Sequence, residues 1–359
     1  GYWKEYLKGY EHVAGIPFTT GSKEKNTYLE SKESLIIEGD LYAGLNELCA
    51  EIGVTQNTFI QGVWGYLLSK YNNTRDVVFG TVVSGRPADL EGVEDMIGLF
   101  INTIPVRVRY NDGDTPLDLL KQIQQESIWS KAHHYMNLSD VQSQSELGMN
   151  LIDHIMAFEN YPVQDIVKSD MENSQNQLTV ESIEVFEQTN YDFNIAILPS
   201  SSSLIVELKY NANIYDAQLI KKITHHVFNL VKGFSVHKTS ALRSLDYLTP
   251  EEENELLVKF NDTDTSYPDD KTFIDLFEDQ VERTPNNIAV VFEQTQLTYQ
   301  ELNEKSNQLA YYLRENYAIK PDDLIGIKLD KSDRMIIAIL GVLKSAAAYL
   351  PIAVNYPQD

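Results

Sequence analysis

The sequence predicts an α/β protein in two unequal parts: a mixed sheet with flanking helices, then an alternating strand–helix unit with too few elements to be complete. Three observations carry this. The run VVFGTVV at Val77–Val83 is β-branched and almost wholly apolar, the mark of a strand covered on both faces. Behind Asp216, residues Leu219, Ile220, Ile223, Val227, Leu230, Val231 and Phe234 recur at helical spacing and form one apolar face. From Thr272 onward strand and helix signals alternate, the pattern of a parallel unit.

Taken in order, Leu41–Ile52 reads as a helix ended by Gly53, and a second helix starts near Thr55 with an apolar face from Phe59 to Leu68. Beyond the strand Val77–Val83 comes the turn Ser84-Gly85-Arg86-Pro87. Ile104, Val106 and Val108 alternate with Pro105, Arg107 and Arg109, a half-exposed strand that its proline places at an edge or bulge. Thr115-Pro116-Leu117-Asp118 is a capping box opening a helix toward Tyr135. Strand signals follow at Leu151–Phe158, Thr179–Phe186, Asp192–Leu198 and Leu204–Tyr210, and Asp216 caps the helix that closes this region near Leu248. Residues 249–271 are acidic and turn-rich, the expected boundary. A helix from Thr272 then precedes strands Ile288–Phe292 and Leu297–Tyr299. Thr298 and Glu301 make a second capping box, and strand Leu324–Leu329, helix Asp333–Ser345 and strand Ala347–Ile352 end the series.

With 359 residues the chain exceeds one typical domain, and 43% apolar content supplies real cores. Twenty-nine bases against 53 acids leave −24, which argues against nucleic acid or an anionic membrane as partner. Residues 249–283 hold twelve of those acids and three bases, so the surplus is densest at the joint. The single cysteine, Cys49, forms no internal disulfide and points to a reducing, cytoplasmic setting. No run reaches the roughly 18 apolar residues of a membrane helix. The chain starts at Gly1 with no signal-peptide pattern and stops just past a strand signal, so both ends read as cut from something longer.

Catalytic signals are sparse. His133-His134 has no carboxylate within three positions downstream and reads as a pair at a helix end. His225-His226 points about 100° apart on its helix, against one shared metal. Asp153 and His154, adjacent in an expected strand, face opposite ways. No phosphate loop, hydrolase elbow or metal-ligand spacing occurs. Arg86, behind the flexible Gly85, suits either a guanidinium fixed across a cleft or an ordinary surface turn. In the run Ile97–Thr103, Asn102 suits either orientation of a substrate amide or closure of a turn by local hydrogen bonds.

The run TVVSGRPADLEGVEDMIGLFINTIPVRV at 81–108 strongly resembles the fifth core motif, with its preceding loop, of nonribosomal peptide synthetase condensation domains. Ile97, Gly98, Phe100, Asn102 and Thr103 carry the match. Lys131–Gln142 resembles the sixth motif with Asn137 in place of its proline, and 149–162 the seventh without its arginines. LTPEEENELL, FNDTDTSYP and FEDQVERTPNNIAVVF are similar to the linker and opening helix of amino-acid adenylation domains. Leu297, Thr298, Tyr299, Glu301 and Leu302 match the first adenylation motif. Leu343–Ile352, including Tyr349 and Pro351, matches the second, with Ser345-Ala346 where Ala-Gly is usual and Ala353 where Asp is usual.

The resemblance implies a chloramphenicol-acetyltransferase-like lobe over 1–248, a linker at 249–271 and a truncated, adenylate-forming N-terminal part over 272–359. It implies a substrate channel bordered by Ser84, Gly85, Arg86, Gly98, Phe100, Asn102, Thr103, Tyr191 and Asp192, residues that position substrates rather than move protons. The family's HHxxxDG histidine would lie before Gly1, since neither HHYMNLSD nor HHVFNLVK fits, so no catalytic residue is assigned to this chain. No cofactor is expected on these residues. Phosphopantetheine would arrive on upstream and downstream carrier domains, and ATP with magnesium would serve the intact adenylation domain. The other condensation lobe and the rest of the adenylation domain are the remaining implied partners. An epimerisation-type domain of the same fold, or a structural fragment that docks carrier domains, are the alternatives. The chain by itself is expected to be inactive.

Overall fold

The computed structural model describes residues 1–17, 27–86, 90–93, 95–159 and 189–356. It divides into two compact units, Gly1–Asn261 and Asp262–Asp359. Among the described residues of the first, six strands form one sheet. They are β1 (Glu30–Glu38), β2 (Asp76–Val83), β3 (Asn102–Arg109), β4 (Ile155–Phe158), β5 (Phe193–Pro199) and β6 (Ser203–Asn211). Their order is β1-β6-β5-β4-β2-β3, with β2, β4 and β5 mutually parallel and the other pairs antiparallel.

One face of the sheet carries four helices: α2 (Gly39–Ile52), α3 (Gln56–Tyr71), α4 (Pro116–Ser130) and α6 (Ala217–Val236). The other carries α1 (Tyr2–Tyr6) and α5 (Leu138–Gln142) with the turn before β4. Val77 and Phe79 belong to the first core and Val78 to the second, so β2 is covered on both sides as its unbroken apolar run requires. The caps read from sequence are in place. Thr115 accepts from Asp118 N at 3.3 Å, Asp216 accepts from Gln218 N at 2.9 Å, and Gly53 ends α2 at φ 71°. Helix α3 differs from the expected one-sided helix, because every residue from Thr58 to Ser69 is buried.

Two strands depart from expectation. β3 is an edge strand, as Pro105 requires, yet Arg107 is only 4% exposed. Its guanidinium pairs with Asp76 through Nε at 2.8 Å and Nη2 at 2.6 Å, and donates to the Tyr6 and Lys8 carbonyls at 2.7 and 3.0 Å. α1 thus covers the face that alternation alone left open. β4 begins only at Ile155, because Gly148–Leu151 forms a 3₁₀ turn. The expected strand Thr179–Phe186 lies outside the described residues.

The first unit also extends past Leu248. Helix α7 (Pro250–Leu257) packs back on it, since Asn229 Nδ2 donates to the carbonyls of Tyr247 and Leu248 at 3.1 and 3.0 Å.

The second unit holds α8 (Phe273–Arg283), β7 (Ile288–Phe292), β8 (Thr295–Thr298), α9 (Tyr299–Asn316), β9 (Leu324–Ile327), α10 (Asp333–Lys344) and β10 (Ala348–Pro351). β9 and β10 are parallel, joined by α10, and β7 and β8 form an antiparallel hairpin. Gly341 lets α10 approach α9 closely, since a Cβ there would lie 2.7 Å from Leu309 Cδ2.

Candidate functional site

The expected channel residues fall in two groups. The first is a loop that leaves the C-terminal end of β2 and returns into β3. Gly85 sits at its neck with φ 63°, and a Cβ there would lie 1.8 Å from the Phe100 carbonyl oxygen, so the two strands of the neck touch backbone to backbone. Arg86 turns back into its own loop instead of reaching across a cleft. It donates to Met96 O at 3.0 Å and to Val93 O, and its guanidinium carbon stacks 4.3 Å from the Phe100 ring centre. The Phe100 ring lies under Gly98, 3.3 Å from where a Cβ would be. Ser84 is exposed at the exit of β2. Braced from within, the loop presents Ile97 and Leu99 almost fully to solvent, at 103% and 94% exposure, with Ile101 beside them.

Asn102 pairs with Val83 at the first rung of β3. Its Nδ2 donates to both His134 O and Met136 O at 2.7 Å, and its Oδ1 accepts from Thr103 N at 2.9 Å. The carboxamide therefore ties the strand to the turn after α4. Thr103 lies opposite Val82. In that turn the His134 ring meets Ser130 Oγ at 3.0 Å, and burial, then the charges of Lys131 and His133, hold its pKa below the usual imidazole value. His133 stacks on Tyr2 with ring centres 4.4 Å apart and accepts from Trp3 Nε1 through its carbonyl. Both histidines serve the helix end.

The second group is the turn into β5. Thr189 Oγ1 accepts from Tyr191 N at 3.1 Å and donates to Asn194 Oδ1 at 2.7 Å, while Asn194 Nδ2 donates to Tyr191 O at 3.1 Å. Asp192 accepts from Asn211 Nδ2 at 2.8 Å. Burial raises the Tyr191 phenol pKa. The register aligns Gly80 with Ile155 and Ile155 with Asn194. Ser84 is thus four positions beyond that line and Tyr191 three before it, about 20 Å apart along the strands at ~3.3 Å per residue. The groups share one sheet but stand at opposite ends of its parallel strands.

Sequence reasoning missed a buried polar chain between them. Trp64 Nε1 donates to His154 Nε2 at 2.8 Å, which leaves the ring's hydrogen on Nδ1, facing Asp153 Oδ2 at 3.3 Å. Asp153 and His154 do not face opposite ways, as expected of strand neighbours, because both precede the strand. His154 is 0% exposed and stacks on Phe79, so it cannot touch a substrate. No local pattern announces Trp64 as its partner.

In the second unit, Leu297 and Leu302 are buried in one small core. Thr298 caps α9, donating through N to Glu301 Oε2 at 2.8 Å, and that backbone bond, then the Thr298 hydroxyl, lowers the Glu301 pKa. Tyr299 N donates to Asn287 O at 3.0 Å, which turns the chain from hairpin into helix. Tyr349 lies in β10, and Pro351 pairs with Ile327. Ala346 has φ 70°, a left-handed backbone at the position where the adenylation motif usually has glycine.

Residues 1–257 match the condensation-domain family and residues 277–359 the AMP-binding enzyme family. Bacitracin synthase 3 of Bacillus licheniformis is 43% identical over 360 aligned residues, covering all of this chain and 6% of that protein. Gramicidin S synthase 2 of Brevibacillus brevis is 39% identical over 358 residues, covering 100% and 8%. The chain thus spans under a tenth of these relatives. A four-domain nonribosomal peptide synthetase solved with AMP and glycine superposes with a TM-score of 0.68 at 22% identity, covering 99% of this chain and 28% of that one. The X-domain from teicoplanin biosynthesis, solved with OxyB, gives 0.56 at 18% identity over 69% of this chain and 55% of that one. The fold is therefore a chloramphenicol-acetyltransferase-like lobe followed by part of an adenylate-forming domain. The chain belongs to the condensation-domain family, continued by the start of an AMP-binding domain, and is a segment of the nonribosomal peptide synthetase type.

Proposed function

We propose that, within its whole protein, residues 1–248 form one lobe of an amide-forming site. An upstream carrier-bound thioester is attacked there by the amine of a downstream carrier-bound aminoacyl thioester. A C–N bond forms, the C–S bond breaks, and the thiol of the upstream phosphopantetheine leaves. This chain contributes position, a large catalytic term in its own right. The loop 84–101 meets the other lobe through Ile97, Leu99 and Ile101, Asn102 and Thr103 fix the strand behind it, and Tyr191 and Asp192 border the far end of the channel. The observation that carries this reading is the self-braced loop with its apolar crown in water.

Residues 249–271 form the joint, of which 250–257 fold back on the lobe, and 272–359 open the adenylation domain. The described residues of that part do not fit ATP and magnesium. Lys344 is engaged by Asn303, Asn307 and Glu278, Arg314 donates to Lys344 O, and no group of metal-ligating side chains converges. Nucleotide chemistry is assigned to other parts of the whole protein, as the motif resemblance implies. Among the described residues no helix is long and apolar enough to cross a membrane, and a chain at −24 with its one cysteine buried suits a cytoplasmic enzyme that binds neither lipid nor nucleic acid. The 359-residue chain alone is expected to show no ATP–pyrophosphate exchange and no amide formation. Exchange with any amino acid would overturn this division of labour. Tight binding of an isolated carrier domain by this chain in titration would favour a docking role instead.

A further inference from the structure

Helix α7 is held to the first unit in an unusual way. None of its eight residues is buried, and Leu256 and Leu257 are 47% and 64% exposed, so apolar burial contributes little to its docking. Its anchor is a polar chain. His226, on α6, is 6% exposed and uses both ring nitrogens: Nδ1 lies 2.6 Å from Tyr71 Oη at the end of α3, and Nε2 lies 2.7 Å from Glu252 Oε2 on α7.

The directions of these bonds follow from their surroundings. The titratable groups around His226 are Tyr71 on α3, Tyr247 before α7, Glu252 on α7 and Lys222 one turn earlier on α6. Burial, then the neighbouring Tyr247 and Glu252, raise the Tyr71 pKa, so its hydroxyl keeps its hydrogen and donates to Nδ1. Burial disfavours the Glu252 charge. The His226 bond, the Thr249 N–H at 3.1 Å and Lys222 at 3.5 Å outweigh it and hold the carboxyl below its ordinary range. Nε2–H then donates to a carboxylate, a charge-assisted bond of the stronger kind.

We propose that His226 is a two-sided latch that fastens the first helix of the joint to the lobe, beyond the point where Asn229 already holds the Tyr247 and Leu248 carbonyls. This placement is independent of which reaction the lobe performs. Because little apolar surface backs the helix, releasing the latch frees the helix without unfolding the sheet.

The test is amide hydrogen exchange on the full chain. His226→Asn keeps a polar group near the Nδ1 position but falls short of Glu252, whereas His226→Gln reaches the Nε2 position and keeps a donor there. Protection of residues 250–257 is expected to fall about tenfold or more in His226→Asn, with β2, β5 and α3 unchanged, and to recover to within about threefold in His226→Gln. Unchanged protection in His226→Asn, or an equal loss across the whole lobe, would overturn the latch. Should His226→Asn fail to fold, Glu252→Ala is read against Thr249→Ala, which loses the cap hydroxyl but keeps the carboxylate. The latch requires the larger loss in Glu252→Ala, and equal losses overturn it.

Discussion

Gly65→Ala is the sharpest test of how the helix layer seats β3, the strand that carries Asn102 and Thr103. A Cβ at Gly65 would lie 2.4 Å from Val108 Cγ2 and 2.7 Å from Val108 Cβ. Val108 is 0% exposed, and its branched side chain has no alternative rotamer that avoids a contact at its own Cβ. Overpacking of this kind costs about 1–3 kcal/mol. Contact with three Val108 carbons below 3 Å, Cγ1 being the third at 2.8 Å, argues for the upper half of that range. Alanine's better helix propensity returns about 1 kcal/mol. The net expectation is a loss of about 1–2 kcal/mol, lowering the urea midpoint by about 0.5 M at slopes of a few kcal/mol/M. All three tryptophans, Trp3, Trp64 and Trp129, lie in the first unit, so fluorescence excited selectively at tryptophan follows that unit alone. Gly44→Ala in α2 is the control, because nothing lies within 4 Å of its Cβ, and it is expected to stabilise by about 0.5–1 kcal/mol. A Gly65→Ala protein as stable as the parent would show that β3 is not seated against α3 through this contact.

Three further outcomes are expected. Asn102→Ala removes two 2.7 Å bonds and leaves the His134 and Met136 carbonyls without that donor, at a cost of about 1–3 kcal/mol, seen as faster hydrogen exchange over 131–142. Ala346→Gly relieves a left-handed alanine and should stabilise the second unit by about 1 kcal/mol, measured by calorimetry. The hydroxyl of Thr115, then its backbone N–H, lowers the Asp118 pKa. Its stabilising contribution is therefore present above the ordinary carboxylate range and lost as pH falls through the lowered value. The stability gap between the parent and Asp118→Asn should accordingly be widest at pH 7 and close toward pH 3.

What could be read from sequence was local. Thr115 with Asp118, Thr298 with Glu301, Asp216 and Gly53 each declare a helix end within four residues, and each is where it was expected. The unbroken Val77–Val83 run declared a strand covered on both faces. What escaped was set by distant partners. β1 went unread because Lys32, Ser34 and Ile36 all face solvent on an edge strand, leaving no apolar alternation to see. Arg107 is buried because Asp76 and the carbonyls of Tyr6 and Lys8 surround it, the latter two about a hundred residues away. At the candidate site, the motif located the loop and Asn102. Only the fold shows that Arg86 folds inward and that Tyr191 stands at the other end of the strands.

On the proposed function, loop 84–101 joins this lobe to the rest of an amide-forming site. Leu99→Asp tests it most directly, because Leu99 is 94% exposed and the substitution leaves the lobe's own packing alone. The measurement is single-turnover amide formation between two carrier-bound aminoacyl groups in the whole protein, with ATP–pyrophosphate exchange as the internal control. Seating Leu99 on a partner surface contributes about 1.5–3 kcal/mol. Amide formation is therefore expected to fall at least about tenfold while exchange is unchanged. Amide formation within twofold of the parent would mean that Leu99 meets no partner surface in the amide-forming site.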